Sequence, residues 1–228
     1  MPPVEPISRR DLLKSLGLAG AAIVALPELS RVLLVRRSLG IGGDPAGLDA
    51  QAVPGVLTAT ELATLEAICA RLIPSDANGP GAKEARAATY IDRALGGALA
   101  ASRQAYTTGL AALDRYTRSS RGKAFTELSA TDQDSVLIDV ETGAATGFTG
   151  SSAQFFALVL NHTHQGTFGD PYYGGNANFI GWDLIGYPGI RTMVSAADQK
   201  SLEAHTLKPN HKSAYDYQNF TKAGPNGH

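Results

Sequence analysis

"LTATELATLEAICARLIPSD", Leu57 to Asp76, is the stretch that decides how this chain folds. Thr58 is a good helix N-cap, Glu61 stands three residues later, and Leu57 and Leu62 occupy the two positions of a hydrophobic staple. Leu62, Leu65, Ile68, Cys69 and Leu72 then recur at helical spacing until Pro74 stops the run. Start signal, apolar stripe and stop signal agree on an α-helix with one face in a core. Cys69 lies in register with Leu62 and Leu65 and reads as a buried structural thiol. It is the only cysteine, so no intramolecular disulfide forms.

The same kind of reading continues outward. The turn "SDANGPG" leads to a second helix over 82–95, closed by Gly96 and Gly97. A third spans 98–118, with Tyr106, Leu110, Leu113 and Tyr116 toward the core. Ser129 and Asp132 resemble a capping pair and open a helix through Val136, Leu137 and Val140 that ends at Gly143. Another starts near Ser151 or Ser152 and carries Phe155, Phe156, Leu158, Val159 and Leu160. Period-2 strands with hairpin turns are absent. The fold class is therefore mostly α: a single helical domain over 57–207 with a long Gly/aromatic loop segment, followed by an extended polar tail over 208–228. That tail, with Pro209, Tyr215 and Tyr217, gains order only by lying on something else.

Upstream, residues 38–56 are rich in Gly, Pro and Ala and read as a linker. Residues 1–37 form an export-signal region. Arg9, Arg10, Leu12, Leu13 and Lys14, after Ser8, resemble the twin-arginine consensus S-R-R-x-F-L-K, with Leu12 in place of Phe. An apolar stretch from Leu16 to Leu26 follows, and Pro27, Glu28 and Arg31 interrupt it before it reaches the roughly 20 residues that span a bilayer. Ala50-Gln51-Ala52 has a cleavage-site form but lies far beyond the apolar stretch, and Ala19-Gly20-Ala21 lies inside it, so the cleavage site stays open, retention included. The destination is periplasmic or otherwise extracytoplasmic, and the twin-arginine translocase is an expected partner. A formal charge of −1 with no dense Lys/Arg run argues against nucleic acid.

"HTHQGTFGDPYYGGNANFIGWDLIGYPG", His162 to Gly189, is where chemistry would have to lie. His162 and His164 follow a helical run, where side chains two apart diverge by roughly 200° and cannot share a metal. No cluster of Cys, Asp or Glu supplies further ligands. The glycines fit neither G-x-G-x-x-G after a strand nor G-x-x-x-x-G-K-[ST], and there is no G-x-S-x-G elbow. Asp170 precedes Pro171, a turn signal before a catalytic one. Aromatics set among glycines suit a contact surface, with cover for the chain's own core as the alternative. An independent secreted enzyme using His162, His164 or Asp170, and a self-associating envelope protein, remain as competing readings.

Several blocks together resemble the small subunit, subunit 3, of the gluconate 2-dehydrogenase type of flavoprotein complex. They are "LTATELATLEAICARLIPSD", Gly81-Ala82, Tyr90-Ile91-Asp92-Arg93-Ala94-Leu95, and Phe155-Phe156 followed by His162-Thr163, Gly166, Phe168, Asp170-Pro171 and Tyr173-Gly174-Gly175-Asn176. Gly181-Trp182, Leu184-Ile185-Gly186 and Pro188-Gly189 complete the pattern. Gln165 departs from it, standing where the family carries Glu. The resemblance implies an accessory chain with no catalytic residue, cofactor or metal of its own. Its implied partner is a large FAD-binding dehydrogenase subunit of the glucose–methanol–choline type, acting on a sugar, sugar acid or polyol. In such complexes a multihaem cytochrome c subunit commonly takes the electrons onward, and the small subunit supports folding and co-export of the large one. The implied contact residues are His162, Phe168, Asp170, Pro171, Tyr173, Asn176, Trp182, Tyr187 and Pro188.

Overall fold

The computed structural model describes residues 55–217. The twin-arginine motif, residues 38–54 of the linker and residues 218–228 of the tail lie outside the described residues. Five helices build the body: α1 (Ala59–Leu72), α2 (Ala87–Leu95), α3 (Arg103–Arg121), α4 (Ala130–Glu141) and α5 (Ser152–Phe168). Two shorter ones follow, α6 (Ile180–Ile185) and α7 (Ala196–Glu203), with 3-10 turns between elements. Among the described residues the only β pairing is the isolated bridge between Asp76 and Gly79.

Local chemistry sets the start of α1. The Thr58 side chain accepts from the Glu61 amide, and the Glu61 carboxylate accepts from the Thr58 amide at 2.9 Å, a complete capping box. Just before it, the amides of Val56 and Leu57 both donate to Asp92 Oδ1 at 2.8 Å. Asp92 is buried, and these two donors offset the cost of taking its carboxylate out of water. They also pin the beginning of the domain to α2.

The remaining helix boundaries show where tertiary structure overrides local signals. α2 begins at Ala87, five residues later than the sequence predicts, because Arg86 adopts a left-handed conformation (φ 58°) and turns the chain first. The Ala85 carbonyl, just before that turn, accepts from the amide of Ala177 instead. α3 is preceded by a 3-10 turn at Ala100–Ser102 and runs on to Arg121. α5 continues to Phe168, through residues that the sequence reading placed in the Gly/aromatic segment, and α7 was not anticipated.

α2 and α5 form the most extensive helix pair, and α4 packs on α5 from another side. Gly166 permits the first of these contacts: a Cβ there would lie 2.9 Å from both Cα and O of Ala87. Leu65, Ile91, Leu95, Tyr106, Leu113, Phe125, Val136, Val140 and Val159 are fully buried between the five helices. Each apolar side chain removed from water contributes about 1.5–3 kcal/mol. Cys69 is among the buried residues, as its position on the α1 stripe predicts. Burial pushes its thiol up to about 12, so it stays protonated against Thr163 Oγ at 3.3 Å.

Candidate functional site

The last turns of α5 open the candidate site. His162 faces inward and is buried. Its Nδ1 shares a 3.0 Å hydrogen bond with the Tyr106 hydroxyl, and the two rings stack with centroids 5.8 Å apart. Burial lowers the His162 imidazole and raises the Tyr106 phenol, so a neutral pair is the stable state. His164 points elsewhere, half-buried, with its ring 6.1 Å from Phe168. The two histidines therefore do not converge, as helical geometry requires. Gln165 is exposed and its Oε1 accepts from the Tyr90 hydroxyl at 3.2 Å.

Beyond α5 the chain folds back on itself through polar side chains that serve the backbone. Asp170 Oδ1 accepts from the Tyr172 amide at 3.0 Å, starting the 3-10 turn at Pro171–Tyr173. Its other oxygen accepts from the Ala214 amide at 2.9 Å. Asn176 is completely buried in a left-handed conformation (φ 43°). Its amide nitrogen donates to the Gly169 carbonyl at 2.8 Å, and its oxygen accepts from the Gly181 amide at 2.7 Å. Its own backbone amide donates to the Gly166 carbonyl at 2.6 Å, which ties the segment to α5. Gly181 is required where α6 crosses α5, since a Cβ there would collide with the Thr167 carbonyl.

The aromatics divide into two groups. Trp182 is buried, donates from Nε1 to the Phe168 carbonyl at 2.9 Å, and meets Tyr187 edge-on at 4.8 Å. Phe179 holds a left-handed backbone (φ 62°), uncommon for a bulky residue, and is 5.4 Å from Trp182. The second group lies outward. Tyr172 stacks on Tyr215 at 3.7 Å, and the hydroxyls of Tyr173 and Tyr215 are 2.8 Å apart. Tyr173 keeps 55% of its surface exposed.

Residues 210–217 lie along this segment as a strap. His211 Nε2 is 2.7 Å from Asp183 Oδ1 and its ring stacks on Phe179 at 5.2 Å. Asn210 donates from its side chain to the Ile190 carbonyl at 2.7 Å, and the Tyr217 hydroxyl donates to the same carbonyl at 2.6 Å. Residues 210–217 of the tail thus lie against the Gly/aromatic segment itself. No local pattern announces this, although Tyr215 and Tyr217 stand out in a polar stretch.

The expected contact residues separate accordingly. His162, Asn176 and Trp182 are buried and are spent on holding the chain together, so they do not themselves form a free surface. Asp170 is engaged by two backbone amides, one on each oxygen. Tyr173 is exposed, while Phe168, Pro171, Tyr187 and Pro188 are half-buried at the surface. Among the described residues no group of three or more His, Cys, Asp or Glu side chains could hold a metal ion. Among the same residues no helix is long and apolar enough to cross a membrane.

The described residues thus form a helical body carrying a segment whose polar groups are tied largely to its own backbone. A family model described as gluconate 2-dehydrogenase subunit 3 matches residues 59–189, more than half of the chain. The chain belongs to that family, and is a non-catalytic small subunit of a dehydrogenase complex. No curated protein and no solved structure matches it.

Proposed function

We propose that this chain is the companion of a large FAD-binding dehydrogenase of the glucose–methanol–choline type, which oxidises a sugar, sugar acid or polyol. The companion binds no cofactor. It supports folding of the large subunit and carries it out of the cytoplasm by the twin-arginine route to the periplasm. There a multihaem cytochrome c subunit takes the electrons onward. The family match over 59–189 carries this reading. The state of the 162–189 segment supports it, because His162 is held by Tyr106 and Asp170 by two backbone amides. The contact surface in this proposal is the face from Phe168 to Pro188, with Tyr173, Pro171, Tyr187 and Pro188 presented outward and His162, Asp170, Asn176 and Trp182 fixing its shape.

The direct test is purification of the tagged chain from its native host, followed by a flavin spectrum of what accompanies it. A stoichiometric yellow partner is the expected result. A colourless chain alone, from gently lysed cells, would overturn the proposal. Export is tested by changing Arg9 and Arg10 together to Lys, which should strand dehydrogenase activity in the cytoplasm. Undiminished periplasmic activity in that variant would remove the co-export role and leave the companion role standing.

A further inference from the structure

Beyond the family-matched residues the chain makes an excursion with a closed base. The Asn210 amide donates to the Pro188 carbonyl at 3.2 Å, the Ile190 amide to the Lys212 carbonyl at 3.4 Å, and Arg191 Nη2 to the Lys208 carbonyl at 3.0 Å. Arg191 Nη1 also donates to the Pro188 carbonyl. Between these ties lies α7, opened by a capping box in which the Ser195 hydroxyl accepts from the Asp198 amide at 3.1 Å. α7 has eight residues and none is buried. Helices shorter than about 12–15 residues are marginal in water on their own, and most depend on an apolar face packed against something. α7 has no buried side chain to supply such support.

The apolar side chains of this excursion are exposed instead: Met193 by 85%, Val194 by 67% and Leu202 by 56%. Its charges are unequal in their commitments. Asp198 accepts from Ser195 and lies 3.8 Å from Arg191, and Glu203 accepts from Gln199 at 3.1 Å. Among the described residues Lys200 and Lys208 enter no ion pair. Glu203 enters no ion pair either, so with Arg191 set against Asp198 the two lysines leave the excursion with one positive charge in excess.

We propose that Arg191–Lys208 is a docking arm for the dehydrogenase subunit. Met193, Val194 and Leu202 enter an apolar recess on that subunit, and an acidic rim around the recess meets Lys200 and Lys208. The inference rests on the companion role above and extends the contact past the end of the family match. The arm begins two residues after Gly189, and its base is bonded to the Pro188 carbonyl, so arm and Phe168–Pro188 face are continuous. Charge complementarity sets the character of the rim.

The test uses the full chain purified with its dehydrogenase subunit, comparing wild type, a triple variant Met193→Asp, Val194→Asp and Leu202→Asp, and a double variant Lys200→Glu and Lys208→Glu. The triple variant should weaken the complex by at least about tenfold, as loss of a buried apolar anchor does. The double variant should weaken it less and flatten its salt dependence. Both isolated chains should melt with the wild type, because none of these side chains is buried. A wild-type complex indifferent to both variants would overturn the arm alone, and failure of the wild-type chain to form any complex would overturn the companion role and the arm together. The arm would also be overturned if the triple variant lost only binding to phosphatidylglycerol vesicles, or only self-association, with dehydrogenase affinity unchanged.

Discussion

The five-helix body and the chain that follows it are held together by different forces. In the body, residues 59–168, Leu65, Ile91, Leu95, Leu113, Val136 and Val159 disappear into one core, and Ile138 is the only large hydrophobic left exposed. In residues 169–217 the order of importance is reversed. Asp170, Asn176 and Asn210 fasten the backbone through their side chains, His211 meets the Asp183 carboxylate, aromatic rings stack, and Tyr173, Ile185, Met193, Val194 and Leu202 are left in water. The body buries its apolar groups, and the exposed ones of the later chain are those that the proposals above assign to contact.

The largest expected effect separates the two regions. Leu65→Ala removes a fully buried side chain from the body and should cost about 2–5 kcal/mol of global stability, read as a lower melting temperature. Asn176→Ala leaves the Gly181 amide and the Gly169 carbonyl without partners, at about 1–3 kcal/mol for each buried group. That loss should fall on the later chain. Hydrogen exchange should accelerate across 169–190 while α1 to α4 stay protected. Uniform acceleration through all helices would show that the two regions unfold as one, and would dissolve the distinction.

The body was the legible part of the sequence, for a physical reason. Thr58, Glu61 and Pro74 act on their own neighbours, so α1 could be placed to within a residue or two, and the burial of Cys69 followed from periodicity. The start of α2 depends on the Ala177 amide reaching the Ala85 carbonyl, a contact between distant parts of the chain that no local pattern announces. Gly166 read as loop because glycine weakens a helix, yet it stands in α5 so that Ala87 can approach. α7 carried a visible signal in Ser195 and Asp198, but without an apolar stripe behind it the signal had nothing to confirm it. The division of the Gly/aromatic segment into buried Trp182 and exposed Tyr173 was decided by Phe168 and Tyr215, again at long range.

A smaller effect tests the interior of the body itself through pH. Burial holds the folded-state His162 below the ordinary imidazole range, and His164 is shifted in the same direction. The unfolded chain therefore takes up these protons first as pH falls through about 6.5. Their contribution to stability is complete above that value and declines below it, until the folded-state imidazoles also protonate. His162→Asn keeps a hydrogen-bonding group near Tyr106 and removes one titration. Denaturation measured from neutral to mildly acidic pH should then show a shallower acid limb than the wild type. An equally steep limb would take the acid sensitivity away from His162 and leave it with His164.

The smallest expected effect lies at the seam between α2 and α5, on the body's surface. Gln165, near the end of α5, accepts from Tyr90 of α2 on an exposed surface, at the position where the resemblance implies Glu. Burial raises Tyr90, so it keeps its proton and can donate to a carboxylate as well as to an amide. Gln165→Glu should therefore preserve the α2–α5 link and shift folding stability by no more than about 0.5 kcal/mol, since the charge is screened by water. Its influence, if the seam borders the partner, should appear in the association rate and salt dependence of the complex instead. A destabilisation well beyond that size would mean that the amide's own N–H groups matter to the fold. In that case Gln165 would belong to the support rather than to the surface it carries.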